Sequence, residues 1–225
     1  MKKTESLSDF EQPSVTVDIV VFTIRDEELK ILLVKRNLDP FIDKWALPGG
    51  FVRINESLED AAKRELVEET GVKDVYLEQL YTFGEPKRDP RGRVITVAYM
   101  ALINSNEITL KASTDVKETG WFSIKKIPPL AFDHKKILFY ALKRLQWKFE
   151  YTPVSFSLLD DEFTIGQIQK IYEIVFDKEF DKRNFAKKIL SLDILQEKGI
   201  KKDVSHRPPM LYSLKNNLPK IIEII

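Results

Sequence analysis

The sequence predicts an α+β fold, with a smaller, mainly helical domain at its C-terminal end. Runs of β-branched and aliphatic residues mark strands in the first two thirds of the chain, and two segments of helical periodicity lie among them. Near residue 150 the pattern changes to two more amphipathic helices, followed by two short strands. We therefore predict two domains, at residues 1–150 and 151–225.

The first domain opens with a hairpin, whose strands are predicted at 15–24 and 31–34 with an acidic turn between them. A helix is predicted over 57–70, because Ser57 can cap its N-terminus and Gly71 can end it. The other predicted elements of this domain, in chain order, are an interrupted strand at 45–52, strands at 75–83, 94–103 and 121–122, and a helix over 133–147.

The second domain begins with a segment, 149–159, that alternates apolar with polar residues and is typical of a connector or an edge strand. Thr164 and Gln167 have the spacing of a capping box at the start of a helix. Asp181 begins a second helix that extends to about residue 192. Two strands then flank a basic loop, at 195–196 and 210–214. The order of helix, turn, helix and two-stranded wing is typical of a winged helix-turn-helix domain.

The composition excludes several classes of site. The chain has no cysteine, which excludes disulfides, zinc fingers, iron–sulfur clusters and thiol catalysis. Two histidines, His134 and His206, are too few for a multi-histidine metal site, and we assign neither a catalytic role. No signal peptide is visible, and no apolar run approaches the ~20 residues of a membrane span. We therefore expect a cytoplasmic protein without a membrane partner.

Charge is unevenly distributed in the second domain, although the formal net charge of the chain is +1. Residues 160–181 carry seven acids and two bases, a net −5, whereas residues 182–220 carry ten bases and three acids, a net +7. A recognition helix reads the major groove of DNA and a wing lies against phosphates, so this basic region predicts DNA binding. The candidate DNA-binding residues are Lys182, Arg183, Asn184, Lys187 and Lys188 on the second helix, and Lys201, Lys202 and Arg207 on the wing. The predicted buried side of that helix comprises Phe185, Ile189, Leu190 and Leu192.

The first domain contains a dense acidic motif. Glu65, Glu68 and Glu69 lie at positions i, i+3 and i+4, so a helix places their carboxylates on one face. The three carboxylates repel one another, which destabilises a surface helix. A hard cation such as Mg²⁺ or Mn²⁺ removes this repulsion, because it binds carboxylate oxygens and neutralises their charge. Because Mg²⁺ also shares its ligands with phosphates, the motif predicts metal-dependent hydrolysis of a diphosphate bond.

The segment 50–72 matches the Nudix box, G-x5-E-x7-R-E-U-x-E-E-x-G-U with U aliphatic, at every specified position. The chain therefore resembles the Nudix hydrolase superfamily over about residues 13–150. The resemblance implies an α/β/α sandwich with a mixed sheet. It implies that Glu56 and Arg64 form an ion pair and that Arg64 orients a catalytic carboxylate. The metal ligands that it implies are Glu65, Glu68, Glu69 and the carbonyl oxygen of Gly49. The general base stays open among Glu85, Asp89 and Asp115.

Substrate binding is predicted for the loop 84–93, which resembles the corresponding segment of Nudix proteins that handle ADP-ribose. Its Pro86 lies 15 residues after Gly71, close to where such pyrophosphatases carry a proline. Arginines in this loop offer bidentate donors to phosphates. The candidate substrate-binding residues are Arg88, Arg91, Arg93, Phe83 and Gly50, and further candidates to stack on adenine are Phe41, Trp45, Tyr81 and Tyr99.

Residues 151–225 resemble the C-terminal domain of Nudix-related transcriptional regulators, in which a Nudix domain senses a small ligand and a winged helix binds double-stranded operator DNA. Phe163 with Thr164, the segment 181–185 and the wing residues 207–212 carry this resemblance, which implies a homodimer. Three functions stay open. They are a regulator that binds ADP-ribose and hydrolyses it, a housecleaning pyrophosphatase with a C-terminal dimerisation domain, and a catalytically silent regulator that responds to a sugar.

Overall fold

The computed structural model of the chain describes residues 6, 10–71, 73, 75–104, 116–201, 208–216 and 221–224. Within these residues, seven strands form one sheet. They are β1 (Ser14–Arg25), β2 (Glu28–Arg36), β3 (Trp45–Ala46), β4 (Gly49–Phe51), β5 (Tyr76–Phe83), β6 (Val94–Leu102) and β7 (Val116–Ser123). No helix in the described part of the chain is both long enough and apolar enough to cross a membrane.

The sheet is mixed and is covered by a helix on each face. Its strand order is β3-β2-β1-β6-β5, with β4 beside β1 and β7 beside β2, and β1 runs parallel to β6. Alternate residues of β1 face opposite sides, so that Val17 and Ile19 pack towards α1 (Leu58–Thr70). Val20 and Phe22 pack towards α2 (His134–Tyr151). The predicted α/β/α sandwich is therefore confirmed.

The C-terminal part has the predicted order of helix, helix and two-stranded wing. After a short 3-10 helix (Pro153–Leu158) come α3 (Ile165–Phe176), α4 (Lys182–Ser191), β8 (Leu195–Ile200) and β9 (Met210–Leu214). Thr164 and Gln167 form the predicted capping box at the start of α3. Asp181 caps α4, since its side chain accepts a hydrogen bond of 2.8 Å from the backbone N–H of Asn184.

The cores of the two parts are continuous. Phe149, in the last turn of α2, is 0% exposed, and its ring lies 5.2 Å from that of Tyr172 in α3. The Tyr172 hydroxyl donates a hydrogen bond of 2.9 Å to the Phe149 carbonyl oxygen. Helix α2 is thus a layer of the sandwich and also part of the C-terminal core.

Four local predictions differ from the structure. The predicted connector or edge strand at 149–159 is wrong, because α2 continues to Tyr151 and Thr152 then caps the 3-10 helix that begins at Pro153. The strands predicted at 121–122 and 195–196 are parts of the longer β7 and β8. Their full length was not predicted, because the remaining residues of both strands are mostly polar. Leu190, predicted to be buried, is 47% exposed, because it is rotated about 100° around α4 from the buried Ile189.

Candidate functional site

A cleft of about 470 Å³ lies beside α1 and β4. The loop after β2, the loop after β5 and the turn before α2 complete its walls. Its lining brings together three groups of residues from the sequence analysis: the glycines Gly49 and Gly50, the acids of the helix, and two arginines of the loop 84–93. Elements that are distant in sequence therefore meet at one site.

The two glycines allow α1 to approach β4 closely. The Gly49 backbone N–H donates a hydrogen bond of 3.0 Å to Glu69 Oε2. A Cβ atom at Gly50 would lie 2.2 Å from Glu65 Oε1, which is closer than any side chain tolerates. Gly50 is therefore required so that the Glu65 carboxylate can rest against the strand.

Arg64 organises the carboxylates of the motif. Its Nε and Nη2 donate to the two oxygens of Glu56 at 2.9 and 2.7 Å, which is a bidentate pair. Its Nη1 donates to Glu65 Oε1 at 2.7 Å and to Glu68 Oε2 at 3.1 Å. The hydrogen bonds from Arg64 and from the Arg53 backbone lower the pKa of Glu56 to about 2, and pairing with Glu56 raises the pKa of Arg64.

Glu65 and Glu69 form a buried acidic pair. Burial raises the pKa of Glu65, against the opposing effect of Arg64. Burial and the neighbouring Glu65 raise the pKa of Glu69 to about 8. In the described part of the chain no three acidic or histidine side chains converge as a ready metal-ligand set, because Glu65 and Glu68 are turned towards Arg64. Carboxylate oxygens of this kind, one of them on Glu69 with a pKa that burial raises, fit a hard divalent cation.

A buried network forms the floor of the cleft. Arg88, whose side chain is 3% exposed, donates to both carboxylate oxygens of Asp133 at 3.1 and 2.7 Å and to Asp18 at 3.2 Å. The Leu47 backbone N–H donates to His134 Nδ1 at 2.9 Å, so the ring carries its proton on Nε2, which lies 3.5 Å from Asp18. Burial lowers the pKa of His134 and keeps it neutral.

One wall of the cleft alternates cationic and aromatic groups. Asp89 holds Arg91 through two hydrogen bonds of 3.0 and 2.7 Å. The Arg91 guanidinium lies 5.1 Å from the ring of Phe51 and 5.7 Å from that of Phe132. Arg36 lies 4.9 Å from the Phe132 ring on the same wall. This wall offers flat, positively charged surface to a planar or anionic ligand.

The structure brings only some of the predicted substrate residues to the cleft. Arg88 and Arg91 line it, but both guanidinium groups are already paired with carboxylates. Arg93 donates to the Gly84 carbonyl oxygen at 2.6 Å, and neither it nor Phe83 is part of the lining. Among the other aromatic candidates in the described chain, Phe41, Trp45, Tyr81 and Tyr99 do not line the cleft either.

Sequence reasoning missed a large part of the cleft lining, including Asp18, Arg36, Phe51 and Phe132. Asp18 gave a usable signal, since an acidic residue within an apolar strand needs a buried partner. Arg36, Phe51 and Phe132 lie at strand ends or in a loop and follow no pattern in the sequence. Of the candidate general bases, Glu85 does not line the cleft, Asp89 is paired with Arg91, and Asp115 lies outside the described residues.

The basic residues predicted on the second helix of the C-terminal part share one exposed surface. The exposed set on α4 is Lys182, Arg183, Asn184, Lys187 and Lys188. Phe185 and Ile189 face the core. Lys201 is exposed at the end of β8, whereas Lys202, His206 and Arg207 lie outside the described residues. We refer to these exposed side chains of α4 as its basic face.

Gly50→Ala is expected to disrupt the acidic site. The new Cβ would lie 2.2 Å from Glu65 Oε1, so the carboxylate must leave this position and its hydrogen bond with Arg64 is strained or broken. We expect the stabilisation by Mg²⁺ or Mn²⁺ in a thermal melt to be lost. Gly166→Ala is the matched control, since its Cβ meets no atom closer than 3.8 Å, and a helical Gly→Ala change is neutral or stabilising. Full metal stabilisation in Gly50→Ala would contradict the assigned close contact.

A sandwich with an acidic cleft, joined to a helix pair and wing with a basic face, defines a ligand-binding Nudix domain fused to a DNA-binding domain. The family models agree with this class: the NUDIX domain matches residues 14–142, and the NrtR DNA-binding winged helix domain matches residues 155–214. The chain belongs to the NrtR family of Nudix-domain transcriptional regulators.

Three relatives illustrate this similarity. The "ADPR responsive transcriptional repressor NtrR" of Acinetobacter baylyi is 36% identical over 96% of this chain and 90% of its own length. The ADP-ribose pyrophosphatase of Methanocaldococcus jannaschii is 42% identical over 56% of this chain and 71% of its own length.

Two crystal structures come from the third relative, Shewanella oneidensis NrtR. Its complex with a 27mer DNA has a TM-score of 0.80 and 37% identity, covering 89% of this chain and 93% of that one. Its Nudix domain complexed with ADP ribose has a TM-score of 0.58 and 39% identity, covering 63% of this chain and 94% of that one.

Proposed function

We propose that the protein is an ADP-ribose-responsive transcriptional repressor, whose cleft binds ADP-ribose and whose helix α4 binds operator DNA. The observation that carries this proposal is the presence of the arginine- and acid-lined cleft and the basic face of α4 in one chain with a continuous core. Relatives over the same length are an ADPR-responsive repressor and an NrtR crystallised with DNA. A DNA-binding role also supports the cytoplasmic location that the sequence predicts.

The cleft suits a nucleoside diphosphate sugar. Its volume of about 470 Å³ lies within the ~300–1,000 Å³ that is usual for small-molecule sites. The wall with Phe51, Arg91, Phe132 and Arg36 can receive a base and phosphate charge, while the acidic end of the cleft can receive a metal–diphosphate. The ADP ribose complex of the Nudix domain of the Shewanella relative supports this ligand.

The test of the proposal is a DNA-binding titration with and without ADP-ribose. The DNA consists of duplexes that the protein selects from a random pool. Fluorescence anisotropy measures the affinity of the protein for these duplexes. We expect specific binding that excess ADP-ribose weakens at least about fivefold, which is within the usual range of coupling between two sites. Specific binding that ADP-ribose does not change would contradict a responsive repressor and favour a regulator with another effector, such as a sugar.

A pyrophosphohydrolase activity is the second proposed function, and the complete set of motif carboxylates with Arg64 favours it. Glu65, Glu68, Glu69 and the Gly49 carbonyl oxygen would hold Mg²⁺ or Mn²⁺. Such an ion neutralises phosphate oxygens and lowers the pKa of an attacking water. Arg64 keeps Glu65 and Glu68 oriented, and the M. jannaschii pyrophosphatase supports the reaction, which yields AMP and ribose 5-phosphate.

Metal binding is expected to depend on pH through Glu69. Its pKa in the folded chain is about 8, above the ordinary value of 4.5, so the folded state without metal holds the extra proton. That contribution to stability is complete below about pH 4.5 and is lost as the pH rises through about 8. We therefore expect the metal-free melting temperature to fall between about pH 6 and pH 8.5, and Mg²⁺ to raise it more at the higher pH. A metal effect that is equal at both pH values would contradict ligation by Glu69.

We further propose that the chain acts as a homodimer with domains at residues 1–150 and 151–225. An operator with two half-sites matches a protein with two-fold symmetry. The two family matches, at 14–142 and 155–214, each fall inside one of the proposed domains, which supports the proposed division. Light scattering after size-exclusion chromatography tests the assembly. A complex with the mass of one chain and one duplex would contradict it.

A further inference from the structure

Helix α2 begins at the floor of the cleft and ends in the core of the C-terminal part. Its first residue, His134, lines the cleft, and its Phe149 packs against Tyr172 of α3. With 18 residues and ~1.5 Å of rise for each, the helix spans roughly 27 Å. One rigid element therefore contacts both functional parts of the molecule.

The turn before α2 is held by residues of the cleft. Phe132 adopts a left-handed backbone conformation, with φ of 50°, which a bulky residue keeps only where its surroundings hold it. Its ring contacts the guanidinium groups of Arg36 and Arg91. Asp133 accepts two hydrogen bonds from Arg88 in the floor. A ligand that engages these arginines acts directly on this turn.

The same turn is also tied to the segment 45–50. The Ala131 backbone N–H donates to the Trp45 carbonyl oxygen at 2.8 Å, and the Leu47 N–H donates to His134 Nδ1 at 2.9 Å. Because this segment continues into Gly49 and Gly50 beside the acidic pair, events at the carboxylates also reach the start of α2.

The far end of α2 is fastened to the C-terminal part by buried and half-buried contacts. Gln146 Nε2 donates to the Val175 carbonyl oxygen at 3.1 Å, and Tyr172 donates to the Phe149 carbonyl oxygen at 2.9 Å. Two exposed ion pairs also join the parts, Lys125 with Asp177 and Lys170 with Glu27. Exposed pairs of this kind contribute little energy, so the buried contacts of α2 form the stronger connection.

We infer that α2 couples occupancy of the cleft to DNA binding, with Asp133 as the positioning residue at its start and Gln146 at its end. This inference rests on the proposed function, because it names the contacts through which the proposed ligand acts. The ligand changes the DNA affinity by a factor, and DNA changes the ligand affinity by the same factor. Loosening either end of α2 reduces this coupling factor while each ligand still binds.

The first test measures the coupling factor in Asp133→Asn and Gln146→Leu. Affinity for the selected duplex is measured without and with excess ADP-ribose, and calorimetry gives the affinity for ADP-ribose. We expect both variants to lose at least about two thirds of the coupling factor. Gln146→Leu, which changes no residue of the cleft, is expected to bind DNA and ADP-ribose within about threefold of the parent chain. For Asp133→Asn, whose partner Arg88 lines the cleft, the coupling factor is taken relative to its own measured affinities. Gln146 lies far from the cleft. If Asp133→Asn folds poorly, the coupling factor measured in Gln146→Leu alone decides the inference.

Asp177→Asn is the matched control. It removes the exposed pair with Lys125, and asparagine suits the left-handed conformation of that position, where φ is 50°. We expect it to keep the full coupling factor. The inference would be overturned if both α2 variants kept the coupling factor of the parent chain, or if Asp177→Asn alone lost it.

The second test uses no DNA, so that it separates this inference from the proposed function. Hydrogen exchange of the α3 amides over 168–175 is measured in the full chain with and without ADP-ribose. We expect the ligand to change their protection in the parent chain but not in Asp133→Asn. If the chain showed this ligand-dependent change in α3 but bound no DNA specifically, the proposed repressor function would be refuted. The proposed connection through α2 between the cleft and the C-terminal part would still be supported. Bound ADP-ribose with unchanged α3 protection would overturn the coupling.

Discussion

Replacing Glu69 with glutamine is expected to abolish ADP-ribose turnover while the chain still folds. Glu69 is buried, accepts the Gly49 backbone N–H and lies beside Glu65. Glutamine keeps the size and the hydrogen bond but removes the charge that would bind Mg²⁺. A metal stabilises a phosphoryl transition state by several kcal/mol, and each ~1.4 kcal/mol is a factor of ten. We therefore expect turnover, measured as AMP release with Mg²⁺ or Mn²⁺, to fall on the order of a thousandfold.

The matched control for this prediction is Glu59→Gln on the same helix. Glu59 is exposed and pairs with Lys63, away from the cleft. It carries the same change of charge, so its turnover is expected to equal that of the parent chain. Equal turnover in Glu69→Gln and Glu59→Gln would exclude Glu69 as a metal ligand. A parent chain that binds ADP-ribose without turnover would instead identify a sensor that has kept the motif and lost the reaction.

The double variant with Lys187→Ala and Lys188→Ala is expected to weaken DNA binding and its dependence on salt. Both lysines are exposed on α4, whereas Phe185 and Ile189 of the same helix are buried. Each phosphate contact contributes ~0.9 to the slope of log affinity against log salt. Loss of two contacts should lower that slope by about 1.8 and the affinity at ~0.15 M salt by at least about tenfold. Anisotropy titrations over a range of salt concentrations measure both quantities.

The control for this variant changes the same charge elsewhere. Lys63→Ala with Lys117→Ala removes two lysines of the Nudix domain, which pair with Glu59 and Asp43. We expect its salt slope to match that of the parent chain. If the two double variants behaved alike, the effect would come from net charge, and α4 would not be the surface that contacts DNA.

The acidic end of the cleft was predictable because its geometry is local. Glu65, Glu68 and Glu69 are neighbours on a helix whose start at Ser57 and end at Gly71 are also encoded nearby. The exposed set on α4 was predictable for a local reason too, because its charged and polar residues favour water and Phe185 and Ile189 favour the core. The prediction for Leu190 was wrong although helical spacing accounts for its exposure, since it lies about 100° around the helix from the buried Ile189.

The rest of the cleft depends on contacts between residues far apart in sequence. Arg88 is paired with Asp133, 45 residues away, and with Asp18, 70 residues away. Its sequence position in a basic loop indicated a phosphate contact, and nothing nearby revealed the carboxylates that surround it. Phe132 reaches the wall through a left-handed turn that no turn signature announces. The segment 149–159 was misassigned because its role depends on the C-terminal core against which it packs.

The continuous core has a consequence for the thermodynamics of the whole chain. Where two domains share buried side chains, neither can melt without exposing apolar surface of the other, so heating is expected to give one cooperative transition. A ligand that binds the folded cleft then raises the melting temperature of the wing and the recognition helix as well. Calorimetry is therefore expected to show that the small molecule and the operator each shift the same unfolding transition, although their sites lie in different domains.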